Sequence, residues 1–376
     1  MIRLKNIKRN IILLLVALTS NNTGIAQIAD STISIEINKV ESNFKISGYV
    51  DAYYSYYTDS VGVGDFQKFP TISPVSNQFG INIAVLSAEY NSNKARGIVT
   101  LHYGDIPQAM WSSKYNAIME AHAGIKIHPK IWLDAGLFRT HFGTEGLMPK
   151  ENLLSSISIN TFYEIAFEAG ARLNYIPNDK ISISLYALNG YNTFEDNNKK
   201  KSFGLLATYA LSDKGNIGYS NYIGDDTPEA DSISHMRIHN NLFMNYQMNK
   251  MKYQIGIDYC TQSNSDTTHS KSANMFSGII TAKYQVVKKF AIAARGELFS
   301  DPQGFMSAVI VDKAGKSTGY NMWGATLGIE YIPIDNAYIR LEARQIQMDK
   351  NEEIFYWDKE STSSRTEFLI NMGISF

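Results

Sequence analysis

The chain has 376 residues, 44% of them apolar and only 19% charged, with 23 Tyr, 18 Phe, 9 Pro and one Cys. Aromatic and β-branched residues are too plentiful for a disordered chain, and a single cysteine excludes a disulfide scaffold. A formal net charge of −1 argues against a nucleic-acid-binding module, which gathers phosphates with a concentrated positive field, and beyond the first 26 residues no apolar run approaches the roughly 18 to 20 residues of a spanning helix.

The first element in chain order is an address. Arg3, Lys5, Lys8 and Arg9 precede the apolar run Ile11 to Leu18, and Gly24-Ile25-Ala26 sets small residues at the −3 and −1 positions of a cleavage site. These are the parts of a secretory signal peptide. The reading is a cleaved signal over 1–26, a mature start at Gln27 and a short periplasmic segment over 27–43. Losing four basic residues and no acid moves the formal charge from −1 to −5. Cys260 is far from Gln27, so a lipid anchor on a cysteine at the first mature position is not expected. So short a stretch before Phe44 leaves no room for a plug domain, which argues against a large energy-coupled transporter.

From Phe44 onward the pattern has period 2, with one parity apolar and the other mixing Gly, Ser, Thr, Asn and charge. That is the mark of strands with two unlike faces. Tyr253, Ile255, Ile257 and Tyr259 alternate with Gln254, Gly256 and Asp258, and the stretches 323–331 and 368–376 read the same way. Ile339, Leu341 and Ala343 alternate with Arg340, Glu342 and Arg344. Such charges are costly against lipid, so their parity is the inner one. Sixteen windows follow: 44–56, 78–90, 95–103, 118–127, 131–139, 162–175, 180–188, 201–210, 216–223, 235–247, 252–261, 274–284, 289–299, 320–331, 336–347 and 363–376. The joins 91–94, 128–130, 176–179, 211–215, 248–251, 285–288 and 332–335 are tight. Between them 57–77, 104–117, 140–161, 189–200, 224–234, 262–273, 300–319 and 348–362 are long. This alternation predicts an all-β fold, a transmembrane antiparallel up-and-down barrel with short periplasmic turns and long extracellular loops. Tyr90, Tyr175, Tyr209, Tyr246, Tyr284 and Tyr331 fall near the ends of downward strands, where an interfacial aromatic girdle sits. Phe376 closes the apolar parity of the last window, an end suited to the outer-membrane assembly machinery.

Three stretches carry a resemblance. They are Gly48-Tyr49-Val50-Asp51-Ala52-Tyr53-Tyr54, the run from Gly136-Leu137-Phe138-Arg139 to Thr144-Glu145, and the run from Arg295-Gly296-Glu297 to Gln303-Gly304-Phe305. In these the chain resembles the OmpL-like β-barrel porins of the bacterial outer membrane, as found in Bacteroidota. The likeness extends from Gly48 to the C-terminus. It implies an outer-membrane pore and leaves the solute open.

Candidate chemistry is thin outside the lumen. His235 and His239 would share a strand face about 13 Å apart, too far for one ion. His102 and His122 fall on neighbouring windows, and no nucleophile context stands out, so neither an enzyme nor a cofactor is expected. Asp225, Asp226, Glu229 and Asp231 offer oxygen ligands without an EF-hand spacing, and Lys199, Lys200 and Lys201 form a run that could meet lipopolysaccharide. The inner parity collects Glu120, Lys126, Asp134, Glu168, Arg172, Arg237, Asp258, Lys283, Arg295, Glu297, Glu330, Arg340, Glu342, Arg344 and Glu367, the candidate pore lining. Both signs occur, so these charges either set a transverse field across a wet lumen or, as the density of Arg340, Glu342, Arg344, Arg365 and Glu367 suggests, pair in a local network that braces the wall. The segment 140–161 is the candidate constriction loop: Leu147, Met148, Leu153 and Leu154 can pack inside while Glu145, Lys150 and Glu151 narrow the opening. The expected function is passive diffusion of small hydrophilic solutes or ions across the outer membrane. Outer-membrane lipid and lipopolysaccharide are the expected surroundings, nucleic acid is not a partner, and a homo-oligomer is left open. The alternatives are a structural or adhesive barrel acting through its loops and an outer-membrane hydrolase.

Overall fold

The computed structural model describes residues 43–376, apart from Ser60, Val63, Thr267, Lys350 and Lys359. The signal peptide, its cleavage site and the segment up to residue 42 lie outside the described residues. Sixteen antiparallel strands close into one barrel. In chain order they are β1 (Phe44–Tyr57), β2 (Phe79–Asn91), β3 (Ala95–Tyr103), β4 (Ile118–His128), β5 (Ile131–Arg139), β6 (Phe167–Asn178), β7 (Ile181–Leu188) and β8 (Ser202–Ser212). They continue as β9 (Gly215–Asp225), β10 (Met236–Met248), β11 (Met251–Gln262), β12 (Ala273–Val287), β13 (Phe290–Ser300), β14 (Asn321–Ile334), β15 (Ala337–Met348) and β16 (Ser364–Ser375). Each strand pairs with its chain neighbours, and β1 pairs with β16 from Tyr49↔Ser375 to Tyr57↔Glu367. Beyond that register the Gly48 and Phe376 backbones exchange hydrogen bonds of 2.7 and 3.0 Å, which extends the seam by one residue.

All sixteen windows correspond to observed strands, and the largest departure is at β6, read from 162 and found from Phe167. The intervening residues belong to the long connection before it, where Asn160–Phe162 forms a single 3₁₀ turn. The long connections also hold a six-residue helix, Asp105–Met110, and two hairpins that stand apart from the barrel, Ile310–Val311 with Ser317–Thr318 and Phe355–Trp357 with Glu360–Thr362.

Alternation decides the two faces. Leu242, Ile257, Ile280, Leu298, Leu327, Leu341, Phe368 and Ile370 are exposed on the outside, while their chain neighbours are mostly buried. An apolar band of this extent is not left in water by a monomer, and a closed barrel wrapped in one is built for hydrocarbon. Tyr90, Tyr175, Tyr209 and Tyr284 are exposed on the same face, Tyr246 and Tyr331 are half-buried on it, and all six stand towards the short turns. Leu327 is the most open of the eight named residues at 69%. Leu327→Arg is expected to destabilise the inserted barrel by about 2–4 kcal/mol if it lies near the bilayer midplane. Denaturant titration in lipid checks this, with Leu327→Ile, which keeps the outer face apolar, as the contrast.

Candidate functional site

The site is the barrel interior, and its main occupant is the connection between β5 and β6. Residues 141–149 and 151–160 are all buried, with Leu147, Met148, Leu153, Leu154, Ile157 and Ile159 among them. This irregular chain fills the barrel's middle, so its backbone N–H and C=O groups need partners that strand pairing does not supply. Side chains of the inner wall supply them. Arg295 donates to Ser156 O at 2.5 Å and Ile157 O at 3.2 Å, and Arg340 to Pro149 O at 2.7 Å and Asn152 O at 3.1 Å. Glu342 accepts from Ser155 N, from Ser156 N at 3.0 Å and from Ser156 Oγ at 2.7 Å. Glu297 accepts from Ile159 N at 2.6 Å, and Gln254 from Leu153 N at 3.1 Å. On the other side Ser220 donates to His141 O at 2.9 Å, Asn241 to Thr144 Oγ1 at 2.9 Å, and Tyr49 accepts from Lys150 N at 3.2 Å. The wall also makes room. A Cβ on Gly256 would stand 2.4 Å from the Thr144 side chain, and one on Gly328 2.5 Å from Leu154 Cδ2.

The charged side chains read as pore lining fall into two groups. On β12 to β16 they are packed with the segment and with one another: Arg344 meets Glu297 at 2.8 Å and Glu367 at 3.4 Å, and Glu330 meets Arg340 and Lys283 at 2.5 Å each. Arg365 pairs with Glu367, and Glu145 of the segment meets Arg295 at 3.2 Å. On β3 to β6, Asp134 bridges Arg96 at 2.5 Å and Arg172 at 3.1 Å, Glu120 lies 3.7 Å from His122, and Glu168 meets His141 at 2.7 Å. Glu151 of the segment meets Arg139 at 2.6 Å, and the Lys150 ammonium lies 4.7 Å from the Tyr49 ring centroid. Lys126 differs from the expectation: it is exposed at the short-turn end over the Trp132 ring, because the pair lies beyond the filled part of the barrel.

Exposure separates the two walls. Side chains of Arg295, Glu145, Arg344 and Glu297 are 0–1% exposed, whereas Arg96 keeps 22%, Arg172 21%, Arg139 14%, Glu120 12% and His122 11%. The segment is seated chiefly on β13 to β15 and tied to β5 and β6 through Arg139 and Glu168, while part-exposed charges lie along β3 to β6 beside the fully buried Asp134 and Glu168.

Two expectations need correction. Of the two readings of the inner charges, the transverse field fails on β13 to β16 and the bracing network holds: arginines and glutamates pair within and between these strands and neutralise each other in place. Nor is the inner parity polar throughout. Towards the long loops Met275, Phe299, Met322 and Ile346 point inward and are buried, because the connections fold over them. Ile72, Ile106, Trp111, Phe167 and Phe194 form part of another such cluster with Leu147 and Met148.

The remaining candidates do not converge. His239 Nε2 lies 3.1 Å from Asp258, while His235 Nδ1 lies 3.0 Å from Ser265 Oγ. His102 packs edge-on against Trp111, away from His122. Asp225 meets Lys200 and Ser234 at 2.5 Å each, and Asp226 accepts from Tyr222 at 2.7 Å, so these carboxylates are already engaged. Lys199 and Lys201 pair with Glu229 and Asp196. No group of three or more His, Cys, Asp or Glu side chains suited to a metal ion occurs among the described residues.

Comparison with known proteins agrees with this architecture. Residues 43–376 match the family model described as "Putative beta-barrel porin-2, OmpL-like". No curated protein matches the sequence. The anion-selective porin from Comamonas acidovorans is similar over 89% of this chain and 100% of its own, at 8% identity and a TM-score of 0.57. OmpF of Salmonella typhi, solved with daunomycin, is similar over 89% of this chain and 97% of its own, at 12% identity and a TM-score of 0.57. The outer membrane channel DcaP of Acinetobacter baumannii covers the same shares at 10% identity and a TM-score of 0.56. At these identities the likeness is one of fold.

Proposed function

Given that the chain belongs to the OmpL-like β-barrel porin family and is a porin of the bacterial outer membrane, we propose that it lets small hydrophilic solutes diffuse passively along a narrow water path between the infolded segment and the β3–β6 wall. The observation that carries this is the run of part-exposed charged side chains along β3 to β6, Glu120 at 12%, His122 at 11%, Arg172 at 21% and Arg96 at 22%, against 0% for Arg295. Sixteen strands enclose a lumen wide enough for an aqueous channel, so the segment sets the bore. Arg139, Arg172, Glu120 and His122 line the remaining path, and polar walls of this kind keep water in place and screen solutes by size and charge. The role is that of a conduit, with solute selection in place of catalysis.

Liposome swelling tests it. Vesicles holding the refolded chain should swell in glycine or arabinose and stay unswollen in raffinose. Swelling no faster than in protein-free vesicles contradicts the proposal. It would favour a second reading, a barrel acting through its loops, for which the exposed Val311, Tyr356 and Trp357 on the two loop hairpins are the supporting observation.

A further inference from the structure

Between the connections after β9, β11 and β13 lies a cavity of about 560 Å³ at the long-loop end. Its charged lining is uneven in a way that points to a ligand. Asp226 accepts from the Tyr222 hydroxyl at 2.7 Å and from Tyr191 N at 3.2 Å. Asp266 accepts from Thr268 Oγ1 at 2.6 Å and from the backbones of Ser270 and Lys271 at 2.9 Å, and these bonds, that from Thr268 foremost, hold its carboxyl well below the usual range. Both acids are therefore engaged within the protein. Arg237 is not. Its Nε donates to Gln262 Oε1 at 2.7 Å and its guanidinium lies 4.5 Å from the Tyr191 ring centroid, yet among the described residues no carboxylate stands within ion-pair distance of it. Tyr191 is itself fixed, donating its hydroxyl to Tyr163 O at 2.5 Å and meeting His239 Nδ1 at 3.0 Å. A guanidinium held on a ring and by one amide keeps its terminal N–H groups free in a set orientation, the geometry that recognises a planar oxyanion in two-point fashion.

We propose that this cavity is a capture site for small monocarboxylates, in which Arg237 takes the carboxylate and the solute's apolar body lies against Phe305 and Val309. The lining sets Arg237 against two acids, Asp226 and Asp266, so each further negative charge on the solute is repelled more strongly and a monocarboxylate held by the guanidinium is favoured over a phosphate dianion. The cavity is of the size that holds small solutes. The inference goes beyond the diffusion reading and is tested by binding, so its failure leaves that reading intact.

The test is calorimetric titration of the full mature chain in lipid nanodiscs, with empty nanodiscs as blank. Benzoate should bind saturably, while inorganic phosphate and neutral benzamide should bind at least tenfold more weakly. Arg237→Gln should weaken benzoate at least tenfold, and Arg237→Lys by less. Phe305→Ala, which leaves the cation in place, should weaken benzoate more than acetate and serves if Arg237→Gln does not fold. No benzoate binding by the unmodified chain overturns the proposal, as do equal binding of benzamide or phosphate and undiminished binding by Arg237→Gln.

Discussion

Replacing residues 146–158 with a short Gly-Ser linker is expected to raise the single-channel conductance of the refolded barrel several-fold. The segment occupies the middle of the lumen, and its removal uncovers Arg295, Arg340 and Glu342, which now spend hydrogen bonds on it. The barrel should persist, because its closure rests on strand ladders that run from β1 round to β16 without help from the segment. Arg295 keeps Glu297, Arg340 keeps Glu330, and Glu342 gains water in place of Ser155 and Ser156, so none is stranded. A variant that folds, shown by its resistance to unfolding in cold detergent, and conducts like the parent would place the narrowest section elsewhere.

Arg295→Ala should have the largest effect of any single substitution on stability. The side chain is fully buried and holds Ser156 O, Ile157 O and Glu145 at once. Truncation leaves two carbonyls and part of a carboxylate without donors in the interior. Removing one partner of a buried ion pair typically costs about 3–5 kcal/mol. The lower end applies here, since Glu145 still accepts from Ser158 N at 2.7 Å and Glu297 still meets Arg344. The thermal midpoint should fall, and the open current should become larger and noisier as the segment lifts from its seat. Arg295→Lys should recover only part of both, because an ammonium cannot reach the three acceptors that the guanidinium fork serves. An Arg295→Ala protein with an unchanged midpoint and current would show that the segment is held from elsewhere.

Much of the barrel was legible because the bilayer imposes a period of two on every strand and water tolerates length only in the loops. The run from Trp323 to Tyr331 announces its outer face, and Arg340, Glu342 and Arg344 announce the inner one. The start of β6 was not legible: Phe162 to Ala166 have strand-like composition, yet they finish the infolded segment, whose position is set by wall groups remote in sequence. Glu342 reaches Ser156 across 186 positions, and no local pattern encodes such a pairing. The same remoteness hid the apolar filling of the long-loop half, whereas the density of charge at Arg340, Glu342, Arg344, Arg365 and Glu367 already pointed to a network that braces the wall. The best local hint was the inner-facing glycines Gly256 and Gly328, which leave hollows that a second layer of chain must fill. Arg237 was legible as inward-facing, but the fact that no acid pairs with it emerges only from the folded loops.

The most direct test of the account is the current carried by the unmodified mature chain in a planar lipid bilayer. The account predicts discrete, small open steps, which become several-fold larger once residues 146–158 are replaced. A correctly inserted barrel that shows no steps would contradict passive diffusion through a solvent-filled path, and steps already as large as those of the replaced variant would contradict a constriction built by this segment.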